Sequence, residues 1–482
     1  MLKAFFGTIR TRFAPLAKIG FCGIFVVGIN SKAIAQEVVT TEVLLENVRV
    51  IVGDGSVLEN TAVLLRGDSI QAVGAVSASN LAPDLLRIDL SGKTLMPTLI
   101  DAHAHVGYEG YSSWGAENYS IENLLDHLER YAFYGFGAVF SAGSDSVQLV
   151  KQVQQLLEQG EATGARLLIA AGMAPPGQGP NNQFLAQALA VAERTGDTIL
   201  YGLATPEQAR AAVSEAATLQ YPFIKIWVDD RGGTQTKLQP PLYRAVIAEA
   251  EQQGMAVFVH QQFAEDMPDL IAAGTRGFLH GRLESGFTPA IAAAAAANNV
   301  FIVPNLGLAE LRREAIGEDA FLAQTLPAAT VQRLAVSTQR QLAPNRDAQL
   351  EATLRDSFAM LLAEGVDVVL GTDAGAVPDH PFGYAGHKEL EIFVRHGMSP
   401  MQAIGAGTAV AARVLGLEDS GMVKPGYRAD LLVLDANPLE DIRNTRSISR
   451  IYLGGKLVDR AALAQQFTLR AQGSSPRNQA GR

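Results

Sequence analysis

The stretch Leu95-Met-Pro-Thr-Leu-Ile-Asp-Ala-His-Ala-His-Val106 is an apolar run closed by two histidines one residue apart, His103 and His105. In a β-strand alternate side chains share a face, so His-x-His at a strand end aims two imidazoles at one point, as a metal site requires. The pair also occurs by chance on polar strand faces. Its meaning depends on whether ligand-type residues recur at the ends of other apolar runs.

They do. Downstream the chain alternates short apolar runs with longer Ala- and Glu-rich helical stretches, the pattern of βα units around a parallel sheet. Eight runs are counted: Leu99 to His105, Ala138 to Gly143, Arg166 to Met173, Pro222 to Val228, Ala256 to Gln261, Arg276 to Gly281, Phe301 to Gly307 and Asp367 to Asp373. Eight parallel strands with intervening helices define an α/β fold, a (β/α)8 TIM barrel, here assigned to residues 96–419. The connection Ala309 to Glu364 is rich in Glu, Arg, Gln and Ala and reads as extra helices. The Gly- and Pro-rich piece Gly172 to Pro180 reads as a connection that could form part of a lid.

Residues 42–95 have a different style, with short β-rich pieces at Val43 to Val52, Ala62 to Arg66, Ser69 to Val73 and Leu86 to Leu90. The style returns in Gly426 to Asp435 and Ser447 to Leu453, where Gly454-Gly455 reads as a hairpin turn before Lys456 to Val458. β-rich segments on both flanks of the barrel suggest one small composite β-sandwich, from residues 42–95 and 420–460. Residues 461–482 read as a loose polar tail.

The chain has 482 residues, 48% hydrophobic and 18% charged, which is a globular composition and neither a disordered nor a fibrous one. At its start come Lys3, Arg10, Arg12 and Lys18, then the apolar stretch Ile19 to Ile29, then Ala33-Ile-Ala35 before Gln36. A positive region, a short apolar core and a small-x-small site describe a secretory signal peptide over residues 1–35. The alternative, a membrane anchor, needs roughly 20 apolar residues, about twice what is present. Cleavage would remove five positive charges and no negative ones, moving the net charge from −10 to −15, and with them Cys22, the single cysteine.

The expected mature protein is therefore exported, periplasmic or secreted, and free of membrane. With no thiol, any metal must be held by His, carboxylate or modified lysine. An acidic chain with no basic cluster argues against nucleic acid and for a small-molecule substrate. Self-association into a homo-oligomer stays open.

At the C-terminal ends of barrel strands, polar residues have a functional reading. Lys225 lies inside Phe223-Ile-Lys-Ile-Trp-Val228, where it must neutralise, pair with an acid or be modified. Its plain reading is a structural ion pair. His260 ends Ala256-Val-Phe-Val-His and His280 ends Gly277-Phe-Leu-His, and either alone is more often an ordinary hydrogen-bonded histidine. Asp373 ends Val368-Val-Leu-Gly-Thr-Asp before Ala-Gly, where an aspartate is commonly a turn former. Four such accidents at the same end of different strands are a poor explanation. Together His103, His105, Lys225, His260, His280 and Asp373 offer nitrogen and oxygen donors that suit zinc, with manganese, iron or cobalt as alternatives.

These pieces resemble the amidohydrolase superfamily, in the branch of imidazolonepropionase-related enzymes and metal-dependent Xaa-Pro dipeptidases. The resemblance rests on Leu99-Ile-Asp-Ala-His-Ala-His105, Phe223-Ile-Lys-Ile226, Val257-Phe-Val-His260, Phe278-Leu-His-Gly281, Gly371-Thr-Asp-Ala-Gly375 and the closing Gly421 to Asp435. It spans about Val43 to Val458. It implies that His103 and His105 bind one metal together with Asp373, that His260 and His280 bind a second, and that a carbon dioxide-carboxylated Lys225 bridges them. The family usually has glycine after the proline preceding Leu-Ile-Asp. This chain has Pro97-Thr98, which puts local backbone geometry in question.

The implied chemistry is hydrolysis of an amide or peptide-like C–N bond by metal-activated water, with Asp373 relaying the proton. The alternatives are a mononuclear ring deaminase, a lactone or ester hydrolase, and an inactive barrel acting as a binding protein. Lys225 argues against imidazolonepropionase itself, which lacks the bridging lysine. Arg282 could meet a substrate carboxylate, Asp229, Asp230 and Arg231 have similar standing, and His380 and His387 are candidates to face substrate.

Overall fold

A computed structural model describes residues 42–76, 81, 85–281, 283, 285–311, 314–335 and 344–473. The expected signal segment with Cys22, Arg282 and residues 474–482 lie outside the described residues.

Five strands open the described chain: β1 (Glu42–Ile51), β2 (Val57–Arg66), β3 (Ser69–Gly74), β4 (Leu86–Asp89) and β5 (Thr94–Pro97). They join β14 (Leu431–Leu434), β15 (Ile448–Leu453) and β16 (Lys456–Leu457) in one eight-stranded sheet, ordered β16-β15-β14-β5-β1-β2-β3 with β4 beside β1. The composite unit is thus built from both ends of the chain. Its two ends approach each other, because Ile70 N donates to Tyr427 O and Gly426 N to Ile70 O. The sheet encloses its own core of Leu45, Val50, Val63, Leu65, Leu95, Leu431, Val433 and Tyr452. Gly454 and Gly455 have φ of 53° and 71°, the left-handed pair that a two-residue hairpin with matching twist needs.

The barrel strands are β6 (Leu99–Ala104), β7 (Phe136–Ser141), β8 (Arg166–Ala174), β10 (Phe223–Val228), β11 (Ala256–Gln261), β12 (Gly277–Leu279) and β13 (Phe301–Val303), all parallel to their neighbours. A short β9 (Leu200–Gly202) adds to the outer edge of β8. The eighth stave is less regular than expected. Residues 367–374 close the ring through isolated bridges, Ile302 to Val368 and Ala104 to Ala374. Thr372 N and Asp373 N both donate to His103 O, at 3.0 and 2.6 Å. Near the end of the stave Asp373 has a φ of 60°, outside the extended region.

The stretch Leu95–Val106 is divided between the two sheets, β5 in one and β6 in the other, with Thr98 at the crossing. Thr98 N donates to Asp430 O, and a Cβ on Gly137 would lie 2.3 Å from Thr98 Oγ1. The room that the Thr98 side chain occupies is thus left by the missing side chain of Gly137 across the strand pair.

The barrel interior is filled by Ile100, Ala102, Phe140, Phe223, Phe258, Phe301, Val303 and Val369, closed at one end by Ala411, Ala412, Val414 and Leu415. Helices on the outside begin with side-chain caps: Ser120, Ser146, Asn181, Thr205 and Thr288 each accept a backbone N–H of the first turn, and Thr205 and Thr288 are followed by proline. The connection after β13 does carry extra helices, Leu306–Leu311, Ala328–Ala335 and Pro344–Glu364.

The expectation of a loose tail is corrected over residues 461–473. Arg460–Gly473 is an α-helix with Leu463 and Phe467 buried. The two lie four residues apart, on one helical face, and Phe467 meets Phe133 edge to face at 5.9 Å. Arg470 donates to Asp126 Oδ1 at 2.8 Å. Among the described residues no helix is long and apolar enough to cross a membrane.

Candidate metal centre

Strict period-two alternation along β6 would put His103 and His105 on the face opposite Ile100 and Ala102, outside the barrel. The register shows why it does not. Asp101 pairs with Val139 and Ala104 with Ser141, three steps against two, so a bulge re-aims the chain and both imidazoles turn inward. Buried Asp101 pins this bulge to the eighth stave: its oxygens accept His103 N, Thr372 N, Thr372 Oγ1 and Tyr131 Oη at 3.1, 3.0, 2.6 and 2.8 Å. Burial raises its carboxyl to about 6, against the pull of those four donors, so it remains ionised at neutral pH.

The histidine tautomers follow from what backs each ring. His103 Nδ1 donates to Asn305 Oδ1 at 2.9 Å, and His105 Nδ1 meets Ser144 Oγ at 2.8 Å. Their Nε2 atoms point at Asp373 Oδ1, 3.4 and 3.3 Å away. Burial, and then the neighbouring Lys225, push the His103 imidazole well below its usual range, so it is neutral. A neutral ring donating through Nδ1 presents a lone pair at Nε2, facing a carboxylate oxygen that is itself an acceptor. Among the described residues His103 Nε2 and Asp373 Oδ1 are buried without a hydrogen-bond partner. Two acceptors held face to face in a dry interior are repulsive unless a cation lies between them.

His103, His105 and Asp373 bring one donor atom each within 4.8 Å of one another. Burial alone would raise Asp373, but His103, His105 and Lys225 outweigh it and hold its carboxyl at about 2. The centre continues on the other side. His280 Nε2 lies 3.7 Å from Asp373 Oδ2, and the His280 ring is 4.8 Å from that of His103 and 4.7 Å from that of His260. Leu279 fills the barrel interior, so the next residue should face outward. A φ of 85° at His280 reverses this and turns the imidazole back in. His260 Nε2 donates to Asp229 Oδ2 at 2.7 Å.

Lys225 lies one alternation beyond Phe223, deep in the barrel and 1% exposed. Burial lowers its ammonium to about 7, opposed by Asp373 and aided by Arg231. Among the described residues it has no carboxylate within ion-pair distance, so the structural ion-pair reading has no partner to support it. All six sequence-derived residues line one cavity of about 180 Å³. Its remaining wall includes Phe184, Trp227, Leu308 and Val377, with Arg231 at the side, Pro180 from the end of the Gly- and Pro-rich piece, and Asn181, which caps the next helix.

Other candidates resolve differently. Asp230 Oδ1 accepts Gly232 N in a turn, and Asp229 pairs with Arg231 at 2.8 Å. His380 and His387 do not line the cavity. His380 Nε2 donates to Thr372 O, and His387, inside the helix Tyr384–Arg395, donates from Nε2 to Tyr134 O and meets Thr445 Oγ1 through Nδ1. Asn305 and Ser144 were overlooked in the sequence. Each lies just past an apolar run, in the position that singled out His260.

A sequence model of the amidohydrolase family matches residues 94–458. Ochratoxinase of Aspergillus niger is 24% identical over 445 residues, 84% of each chain. An imidazolonepropionase of Cereibacter sphaeroides is 28% identical over 417 residues, 82% of this chain and 93% of that one. Among solved structures, a putative prolidase from Bifidobacterium longum superposes with a TM-score of 0.63 and 25% identity, covering 89% of this chain and 99% of that one.

Proposed function

This chain belongs to the amidohydrolase family, and from that footing we propose that it hydrolyses an amide or peptide-like C–N bond of a small molecule with two divalent metal ions, zinc by donor type. The observation that carries the reading is the pair of buried acceptors, His103 Nε2 and Asp373 Oδ1, held face to face with no donor between them. In this reading His103, His105 and Asp373 would hold one ion, His260 and His280 the other. Lys225, as its neutral amine, would add carbon dioxide with loss of one proton and so offer an anionic oxygen ligand, which removes the cost of an unpaired buried ammonium.

Bound ions of this kind acidify water and polarise a carbonyl. Asp373, set between the histidines of both halves, would take the proton of the attacking water and pass it to the leaving nitrogen. Phe184, Trp227, Leu308 and Val377 offer apolar walls that exclude bulk water and suit an apolar substituent next to the scissile bond. Xaa-Pro dipeptides enter the substrate panel because the Bifidobacterium longum relative is named a putative prolidase, N-acyl amino acids because they carry the same bond, and lactones as the competing class.

The test is metal content and turnover of the purified protein. Two ions per chain are expected, and Lys225→Ala should lower metal content and activity together. One ion with Lys225→Ala unchanged would favour the mononuclear deaminase, and no metal uptake would defeat both. We also propose export with cleavage after Ala35. The mass of the protein recovered outside the cytoplasm should then correspond to a chain starting at Gln36, and an intact N-terminus would refute it.

A further inference from the structure

Asp229 lies just past β10, four residues beyond Lys225 and so on the same strand face, buried at 4% exposure beside His260, also 4% exposed. Its Oδ2 accepts His260 Nε2 at 2.7 Å and pairs with Arg231 Nη1 at 2.8 Å, while its Oδ1 accepts Arg231 N at 2.7 Å. Arg231 is anchored in turn through Nη2 to Gly179 O at 3.3 Å, and its φ of 53° folds the chain back over the carboxylate. The three groups form a chain from the loop after β8 to the second pair of histidines.

We propose that Asp229, clamped by Arg231, is a positioning residue that fixes the tautomer and ring orientation of His260 and thereby sets the affinity of the second metal ion. The inference rests on the two-metal reading above. With Nε2–H engaged by the carboxylate, the tautomer that carries the lone pair on Nδ1 is the favoured one, so Asp229 selects which nitrogen the ring would offer an ion. The two halves of the centre differ in this respect. His103 and His105 are backed by the amide and hydroxyl groups of Asn305 and Ser144, whereas His260 is backed by a carboxylate. A clamp on Arg231 also explains why a cation and an anion are spent at a cavity wall without leaving either buried charge unpaired.

The experiment titrates Zn2+ into metal-free protein against a chromophoric chelator, resolving two dissociation constants, with thermal unfolding of the metal-free forms as the folding control. Wild type should bind two ions. Asp229→Ala should leave the first ion unchanged and weaken the second by about 10- to 100-fold. Asp229→Asn, whose amide oxygen still accepts Nε2–H, should recover most of that loss. Arg231→Ala, which removes the clamp on Asp229, should weaken the second ion by several fold and keeps the idea testable if Asp229→Ala does not fold. Unchanged second-ion affinity in Asp229→Ala or Arg231→Ala overturns the proposal. Equal loss in Asp229→Ala and Asp229→Asn also overturns it, because Asp229 would then be a ligand itself. A wild-type stoichiometry of one overturns the two-metal reading, and this inference with it.

Discussion

Four residues around the centre, Arg231, His280, Asn305 and Asp373, hold φ between 52° and 85°, a region that side chains other than glycine enter at a cost of order 1–3 kcal/mol each. The strain falls where strands end and side chains must be re-aimed. Gly375 shows the limit of what the site tolerates. Its φ is 88°, and a Cβ there would lie 1.9 Å from His105 O, a backbone atom that cannot swing aside. Gly375→Ala should therefore cost about 3 kcal/mol or more in urea unfolding and reduce metal retention. Wild-type stability in that variant would show that the loop yields easily. At this scale the six proposed ligands were legible because five are polar residues closing apolar runs and Lys225 is a charge inside one. Asn305, Ser144 and the role of Asp229 were not, since their partners lie 202, 39 and 31 residues away.

Among the elements, β6 and the C-terminal helix depart most from a reading by pattern. The β6 pattern correctly locates a strand, but the bulge at its end decides which face the histidines take. The helix Arg460–Gly473 has only two buried apolar positions in fourteen residues, a signal too thin for periodicity to separate from a polar tail. Those two positions carry the docking. Phe467→Ala should destabilise the protein by about 3 kcal/mol, while Leu469→Ala, at 58% exposure, should change stability by less than about 0.5 kcal/mol. Comparing their denaturation midpoints checks both, and equal effects would mean that the helix does not dock through Phe467.

For the molecule as a whole, two buried histidines outside the centre make stability depend on acid. His127 accepts Gly107 N at Nδ1 and donates from Nε2 to Glu109 O, and burial holds it at about 4. Burial likewise holds His387 at about 3. Both lie below the ordinary value of 6.5, so on acidification the unfolded chain takes up protons that the folded chain refuses. Stability from these groups is complete above about pH 6.5 and falls as the pH drops towards 4 and 3. A Tm profile of metal-free protein should decline through that window, and His387→Asn should be less stable at pH 7.5 yet show a shallower decline. An unchanged slope would place the acid sensitivity elsewhere.

The sequence by itself determined the barrel, the composite sheet and the ligand types, because eight apolar runs of strand length, flanked on both sides by β-rich segments, leave few other ways to bury the chain. Only the tertiary structure decided where those ligands point and what holds them. A bulge in β6 and a left-handed residue after β12 reverse the period-two alternation on which any reading of strands depends. The groups that fix each imidazole are brought up from distant strands by closure of the ring, a contact that no local pattern encodes.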